Sequence, residues 1–270
     1  MSQPAFEVLE STQVRVDRWA NGKAEAFVDH VAEEIPVALV YNGISHAVML
    51  ASPSNLEDFG VGFSLTEGII DHVGEIYDCS VQQEESGMTV QMEVASEKMM
   101  RLKERKRSMA GRTGCGLCGT ESLKHAIRTP QPVPNGHTLS AAKLHIAFEQ
   151  LRQQQLLQLQ TGATHAAAWL AQEGDVRIMR EDIGRHNAVD KLIGALLRSG
   201  EDVSAGAVIV TSRASYEIVQ KIAAAGIQTL AAISAPTGLA VRMAEDANIT
   251  LLGFVREGRH VAYAHPRRLV

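Results

Sequence analysis

Apolar residues recur with two periods along this chain, and the change between them divides it. In the first half, the short apolar runs Val37–Tyr41 and Ser45–Met49 flank Asn42-Gly43, a dipeptide that supplies the positive φ angles of a tight hairpin turn. Ser54-Asn55-Leu56-Glu57 has the form of a capping box, in which the first side chain serves the orphan N–H groups of a helix start. It predicts a helix to about Glu67, closed by Gly68 as a left-handed cap. Strands are expected near Glu75–Glu84 and Thr89–Val94, which makes this half mixed α+β.

From residue 136 the pattern alternates strand with helix. Helices are predicted over Ala141–Leu159, Asn187–Leu197, Ser215–Ala225 and Leu239–Asn248. Strands are predicted over Ala166–Ala171, Val176–Arg180, Ala207–Thr211, Thr229–Ser234 and Thr250–Val255. Such alternation indicates βαβ units and a largely parallel sheet covered on both faces. The Pro-rich stretch Pro130–Gly136 reads as the boundary. The expectation is an α+β domain over 1–135 and an α/β domain over 136–270.

Composition narrows the classes of function. The 270 residues are 45% hydrophobic and only 4% aromatic, so the core rests on Ala, Val, Ile and Leu. A net charge of −5 argues against a general nucleic-acid binder. No apolar run approaches the roughly 18 residues that span a bilayer. The N-terminus lacks the basic and apolar segments of a secretion signal. The expected location is cytoplasmic, where the three cysteines would stay reduced.

Two of these cysteines lie together in Gly114-Cys115-Gly116-Leu117-Cys118-Gly119, preceded by Arg105, Lys106, Arg107 and Arg112. Four glycines between 111 and 119 disfavour a regular element there. Zinc would need about four ligands, and only one such pair is present. A thioredoxin-like dithiol follows a strand and opens a helix; here the pair follows a basic, glycine-rich stretch. A zinc deaminase needs His or Cys, then Glu two positions on, ahead of Pro-Cys-x-x-Cys. No histidine here has that Glu, Gly114 replaces the proline, and His165-Ala166-Ala167 lacks the acid. Neighbouring cations also favour a thiolate that carries sulfur or acts as a nucleophile. On spacing alone, redox, metal and sulfur-transfer chemistry remain open. Cys79 stands apart and reads as a small buried residue.

Six stretches, in order, carry a resemblance: Gly62–Ile70, Gly114–Gly119, Thr161–Ala167, Glu181–Lys191, Thr211–Ser215 and Ser234–Thr237. Together they resemble the FdhD family of sulfur carriers, required to make formate dehydrogenases active. The resemblance implies a persulfide on Cys115, received from a cysteine desulfurase, with Cys118 assisting. The sulfur would pass to the molybdenum or tungsten of the bis(molybdopterin guanine dinucleotide) cofactor of formate dehydrogenase, bound as a client. It further implies a homodimer and a cytidine-deaminase-like C-terminal domain without zinc, beside a smaller α+β N-terminal domain.

The nucleotide end of that client needs its own site. In open α/β sheets ligands sit beyond the carboxyl ends of the strands, where helix N-termini present free N–H groups. The loops Asp182–Asn187, Ser212–Ser215 and Ala235–Gly238 fall there, carrying Arg185, His186, Ser212 and Arg213 for phosphate oxygens. Asp182 could accept from guanine or a ribose hydroxyl, or simply order its loop. The resemblance adds Phe254-Val255-Arg256-Glu257-Gly258-Arg259, whose two arginines could clamp a diphosphate. Two alternatives to sulfur transfer stand beside it: a chaperone that only binds the cofactor, and a dithiol oxidoreductase.

Overall fold

The computed structural model describes residues 9–100, 102 and 131–270. Strands β1 (Ser11–Ala20) and β2 (Lys23–Ala32) form a separate two-stranded ribbon. Strands β3 (Ile35–Tyr41), β4 (Ile44–Ala51), β5 (Ile76–Glu84) and β6 (Gly87–Val94) make a four-stranded sheet in the order β4-β3-β6-β5. Asn42 and Gly43 take φ values of 46° and 76° between β3 and β4, the turn expected of Asn-Gly. Helix α1 (Leu56–Thr66) follows β4, and Gly68 ends it with φ 63° while its N–H reaches Leu65 O.

The capping box does not form. Asn55, left-handed at φ 54°, is the N-cap and makes no side-chain cap bond. That shifts the frame by one residue and puts Asp58, not Glu57, in the reciprocal position. Asp58 is already held by Arg180 and Arg198.

The second half begins with α2 (Ala141–Gln154) and α3 (Leu156–Thr161), where a single helix was expected. The break has a definite cause. The N–H groups of Leu157 and Gln158 donate to the two carboxylate oxygens of Glu181 at 3.0 and 2.9 Å, so an acid from elsewhere caps a new helix. The remaining elements are β7 (His165–Ala171), β8 (Val176–Asp182), α4 (Arg185–Ser199), β9 (Gly206–Val210), α5 (Tyr216–Ala224), β10 (Thr229–Ala232), α6 (Gly238–Asp246), β11 (Thr250–Arg256) and β12 (Arg259–Ala264). Their six-stranded sheet runs β12-β11-β10-β9-β7-β8. It is mixed rather than largely parallel: β9, β10 and β11 are parallel, but β7 runs against both its neighbours and β12 against β11. The short turn around Gly174 between β7 and β8 leaves no room for the crossover a parallel pair needs.

The two faces of this sheet serve two cores. Ala166, Ala168 and Leu170 of β7 pack with Leu144, Ala147, Phe148 and Leu151 of α2, a helical i, i+3, i+4, i+7 stripe. Ala167 and Trp169 face the larger core, which is shared with α4, α5, α1 and the four-stranded sheet. Helices α1 and α4 therefore lie between the sheets, and they cross almost backbone to backbone. A Cβ on Gly62 would sit 1.8 Å from Asp190 O, and one on Gly194 1.8 Å from Asp58 O. Only glycine fits at such an approach.

Candidate functional site

Five ends of chain meet at one edge of the six-stranded sheet. Strands β8, β9, β10 and β11 all finish there, and β7 starts there, with His165 opposite Asp182. The loops that follow lead into α4, α5 and α6, whose N-caps are Gly184, Ser215 and Thr237. Bonds between the loops make a continuous rim. Thr237 N donates to Ala214 O at 3.1 Å, and Phe254 N to Ser234 O at 3.3 Å. Arg256 Nη1 donates to the carbonyls of Ile233 and Val255. Three helix starts on one rim direct N–H groups and positive dipole ends toward the same space, and at α6 Thr237 Oγ1 already accepts from Ala240 N.

The first loop is fastened from beneath. Asp182 is fully buried, and Oδ2 accepts from Ser52 N at 3.0 Å and Lys191 Nζ at 2.7 Å. Its Oδ1 accepts from Gly184 N at 2.8 Å and Asn187 Nδ2 at 3.0 Å. Lys191, also fully buried, donates to Ser52 O as well. Burial pulls the Lys191 ammonium below the usual lysine range while Asp182 works against that shift. Ser52 follows β4, so this cluster ties the four-stranded sheet to the rim.

Above it lie the cations. Arg185 is partly exposed, and its Nε is buried without a hydrogen-bond partner. His186 Nε2 lies 2.8 Å from Glu217 Oε2, close enough for an ion pair though not aligned as a hydrogen bond. His186 holds the Glu217 carboxyl below the ordinary glutamate range. Burial, then Arg185 and His186, pulls the His165 imidazole below its usual value, which favours its neutral form. Arg213 is exposed. Beyond β11, Gly258 takes φ 68° in the turn, and Arg256 stands directly opposite Arg259 across the hairpin. Arg256 turns its guanidinium to Ile233 O on the β10 side of β11, and Arg259 stays exposed on β12.

Of the residues picked from sequence, Arg185, His186, Arg213, Phe254, Arg256, Glu257, Gly258 and Arg259 are at least partly open to solvent. Asp182, Ser212 and Val255 are not. Asp182 orders the loop, Ser212 Oγ donates to Arg213 O at 3.1 Å, and the Val255 side chain belongs to the core against α2. Cys115, Cys118 and the preceding Arg105, Lys106, Arg107 and Arg112 lie outside the described residues. Cys79 is half-buried against the core, and burial pushes its thiol up to about 11. A cleft of about 300 Å³ at the far end of α4 involves Arg198, whose charge Glu57 and Asp58 already neutralise. Among the described residues no cluster of three or more His, Cys, Asp or Glu could hold a metal ion. No described helix is long and apolar enough to cross a membrane.

The model of the FdhD/NarQ family matches residues 32–270. The chain belongs to the FdhD/NarQ family. A sulfur carrier protein FdhD of Cupriavidus necator is 61% identical over 254 residues, covering 94% of this chain and 88% of that protein. One of Bordetella bronchiseptica is 51% identical over 259 residues, covering 96% and 94%. A solved structure from Desulfotalea psychrophila, described as a formate dehydrogenase accessory protein, matches the fold with a TM-score of 0.77. It is 23% identical and covers 97% of this chain and 100% of its own.

Within this FdhD/NarQ member, the stretch Glu181–Lys191 is mostly support. Asp182, Asn187 and Lys191 fasten the rim from below, and Asp190 turns the other way to bind Thr66 and Lys221. Sequence reasoning missed Ser52, Lys191 and Glu217. An acid in the first turn of α5 was the available sign of Glu217. Nothing local marks Ser52, which acts across 130 residues.

Proposed function

We propose that this FdhD/NarQ protein is a sulfur carrier for the maturation of formate dehydrogenase, and that its cationic rim holds the nucleotide end of a molybdenum cofactor. The observation that carries the second half is the convergence of Arg185, Arg213, Arg256 and Arg259 with three helix starts around one rim. That donor set suits a diphosphate, with bidentate guanidiniums and helix N–H groups as partners. Phe254, held at φ 52° and 46% exposed, offers an aromatic face to a purine. A strained, exposed aromatic beside a phosphate-binding set is what base stacking would use.

Sulfur would arrive from a cysteine desulfurase as a persulfide on Cys115, with Cys118 assisting exchange. The acceptor is the metal of bis(molybdopterin guanine dinucleotide), which is the substrate of this step rather than a resident group. Sheet order supports a cytidine-deaminase-like reading of the second half: β8-β7-β9-β10-β11, with β7 alone reversed, followed by the edge strand β12. The working form in this reading is a cytoplasmic homodimer.

The test is incubation with a desulfurase and cysteine, followed by the mass of the peptide holding Cys115. A one-sulfur adduct that disappears in Cys115→Ala supports the carrier role. Absence of the adduct with GDP binding intact would instead favour a chaperone that only delivers the cofactor. Unchanged GDP affinity in both Arg213→Ala and Arg259→Ala would remove the nucleotide from this rim.

A further inference from the structure

We propose that the β1–β2 ribbon is the arm through which two copies of this chain pair, β1 against β1 of the second copy; the idea deepens the two-copy reading above and rests on it. The ribbon consists of two ten-residue strands hydrogen-bonded as strands only to each other. Such a sheet is marginal in water without further support. Helix α3 supports the base: Gln160 Nε2 lies 2.9 Å from His30 Nδ1, and Ser11 Oγ donates to Gln160 Oε1 at 3.1 Å. No described strand pairs with the outer edge of β1. Yet Val14, Trp19, Val28 and Val31 are 38%, 73%, 48% and 39% exposed. A long unpaired edge flanked by exposed apolar side chains is a template for another strand.

The edge itself specifies which strand. Asn21 and Gly22, at φ 52° and 76°, form a two-residue turn that makes Ala20 and Lys23 a hydrogen-bonded pair. The register along the ribbon is unbroken. Even-numbered residues of β1 therefore turn their N–H and C=O groups toward β2, and odd-numbered residues turn theirs outward. A two-fold antiparallel pairing that keeps nine of the ten residues of β1 must then centre on Arg15 or Val16. Centring on Arg15 sets it against Arg15 of the second copy. Like charges directly opposite destabilise a pair, and opposite charges stabilise it.

Centring on Val16 places Arg15 opposite Asp17 of the second copy, twice, and Gln13 opposite Trp19, twice. Val16 is already paired with Phe27 within the ribbon. The same register thus lays a row Phe27–Val16–Val16–Phe27 across one face of a four-stranded sheet. It forms about eight new backbone hydrogen bonds, within the usual interface range of about 10 ± 5. A ribbon that balances Arg15, Arg18 and Lys23 against Asp17, Glu25 and Asp29 carries no net charge to oppose self-association.

The test uses the full chain and sedimentation velocity over a concentration series. Asp17→Arg puts Arg against Arg and is expected to raise the dimer dissociation constant at least about tenfold. The swap Arg15→Asp with Asp17→Arg restores the opposition of charges and should return it to near the wild-type value. Val16→Cys, on the two-fold axis, should cross-link on mild oxidation well beyond the wild type and beyond Thr12→Cys. A dimer that survives Asp17→Arg and shows no Val16→Cys link overturns this interface while leaving the two-copy reading intact. So does pairing of this edge with a strand of some other protein. A chain that stays monomeric at every concentration overturns both.

Discussion

Replacing Asp182 with Asn keeps the shape of the buried cluster and changes only what one oxygen can do. Asp182 accepts four hydrogen bonds, two on each oxygen. An Asn in its place has one oxygen and one NH2. If the oxygen stays on Lys191 and Ser52, the NH2 points at two donors: Gly184 N loses its acceptor, and Asn187 Nδ2 keeps only Leu50 O. A buried donor left without a partner costs about 1–3 kcal/mol. Loss of the carboxylate facing a fully buried ammonium brings the total to about 3–5 kcal/mol. Lys191→Met should cost less, about 1–3 kcal/mol, because Asp182 keeps three N–H donors that satisfy its charge. Urea titration of both variants gives the ordering, and hydrogen exchange at 183–187 should rise in Asp182→Asn. A Lys191→Met variant less stable than Asp182→Asn would refute this account, since it would make the ion pair, rather than the four-bond loop anchor, the dominant contribution.

Three further outcomes follow from the same structure. Arg259→Ala removes an exposed cation, so it should leave stability within about 0.5 kcal/mol, while weakening GDP at least about tenfold; paired thermal melts and calorimetry read both. Glu217 is held below its ordinary value by His186, so the folded state binds fewer protons there and the pair's stabilisation is present above about pH 4.5 and lost as pH falls through the folded value. Glu217→Gln should lower stability at neutral pH and flatten that acid limb; an unchanged limb in denaturation profiles would dismiss the pair. Cys79, with its thiol pushed up to about 11 from 9.0, should alkylate at neutral pH on the order of a hundredfold more slowly than an unperturbed thiol, as peptide mass mapping would report.

Much of the fold was legible because local chemistry and tertiary structure agree in it. Asn42-Gly43 forms the turn its residues demand, and the strands on either side follow. The β9–α5–β10–α6–β11 run emerged from alternation alone. Elsewhere the deciding contact is remote. No feature of the sequence around Gln155 breaks a helix; Glu181, a partner 23 and 24 residues away, does. The sheet was read as largely parallel because alternation reports which elements are present but not the direction of β7, set by a short turn. The ribbon carried a legible signal in Asn21-Gly22 between alternating strands, the same dipeptide as the second hairpin. Strand β12 was hidden behind the charged turn Glu257-Gly258, whose arginines drew the reading toward a ligand. For the site, the exposed cations were visible as residue types at the right loops. Which polar residues face inward was not, because Asp182 and Arg185 differ in burial and not in sequence context.

The crossing of α1 over α4 has a mechanical meaning. With no side chain at Gly62 or Gly194, the two backbones act as bearing surfaces whose separation fixes how far the four-stranded sheet stands from the six-stranded one. The same separation is measured a second time at the rim, where Ser52 reaches Asp182 and Lys191. A methyl group added at Gly62 would work as a shim set against Asp190, about one and a half turns of α4 from its start at Arg185, prising open a joint whose other end is the cationic rim. Its effect on GDP affinity, beside its effect on stability, would report how stiff the lever between them is.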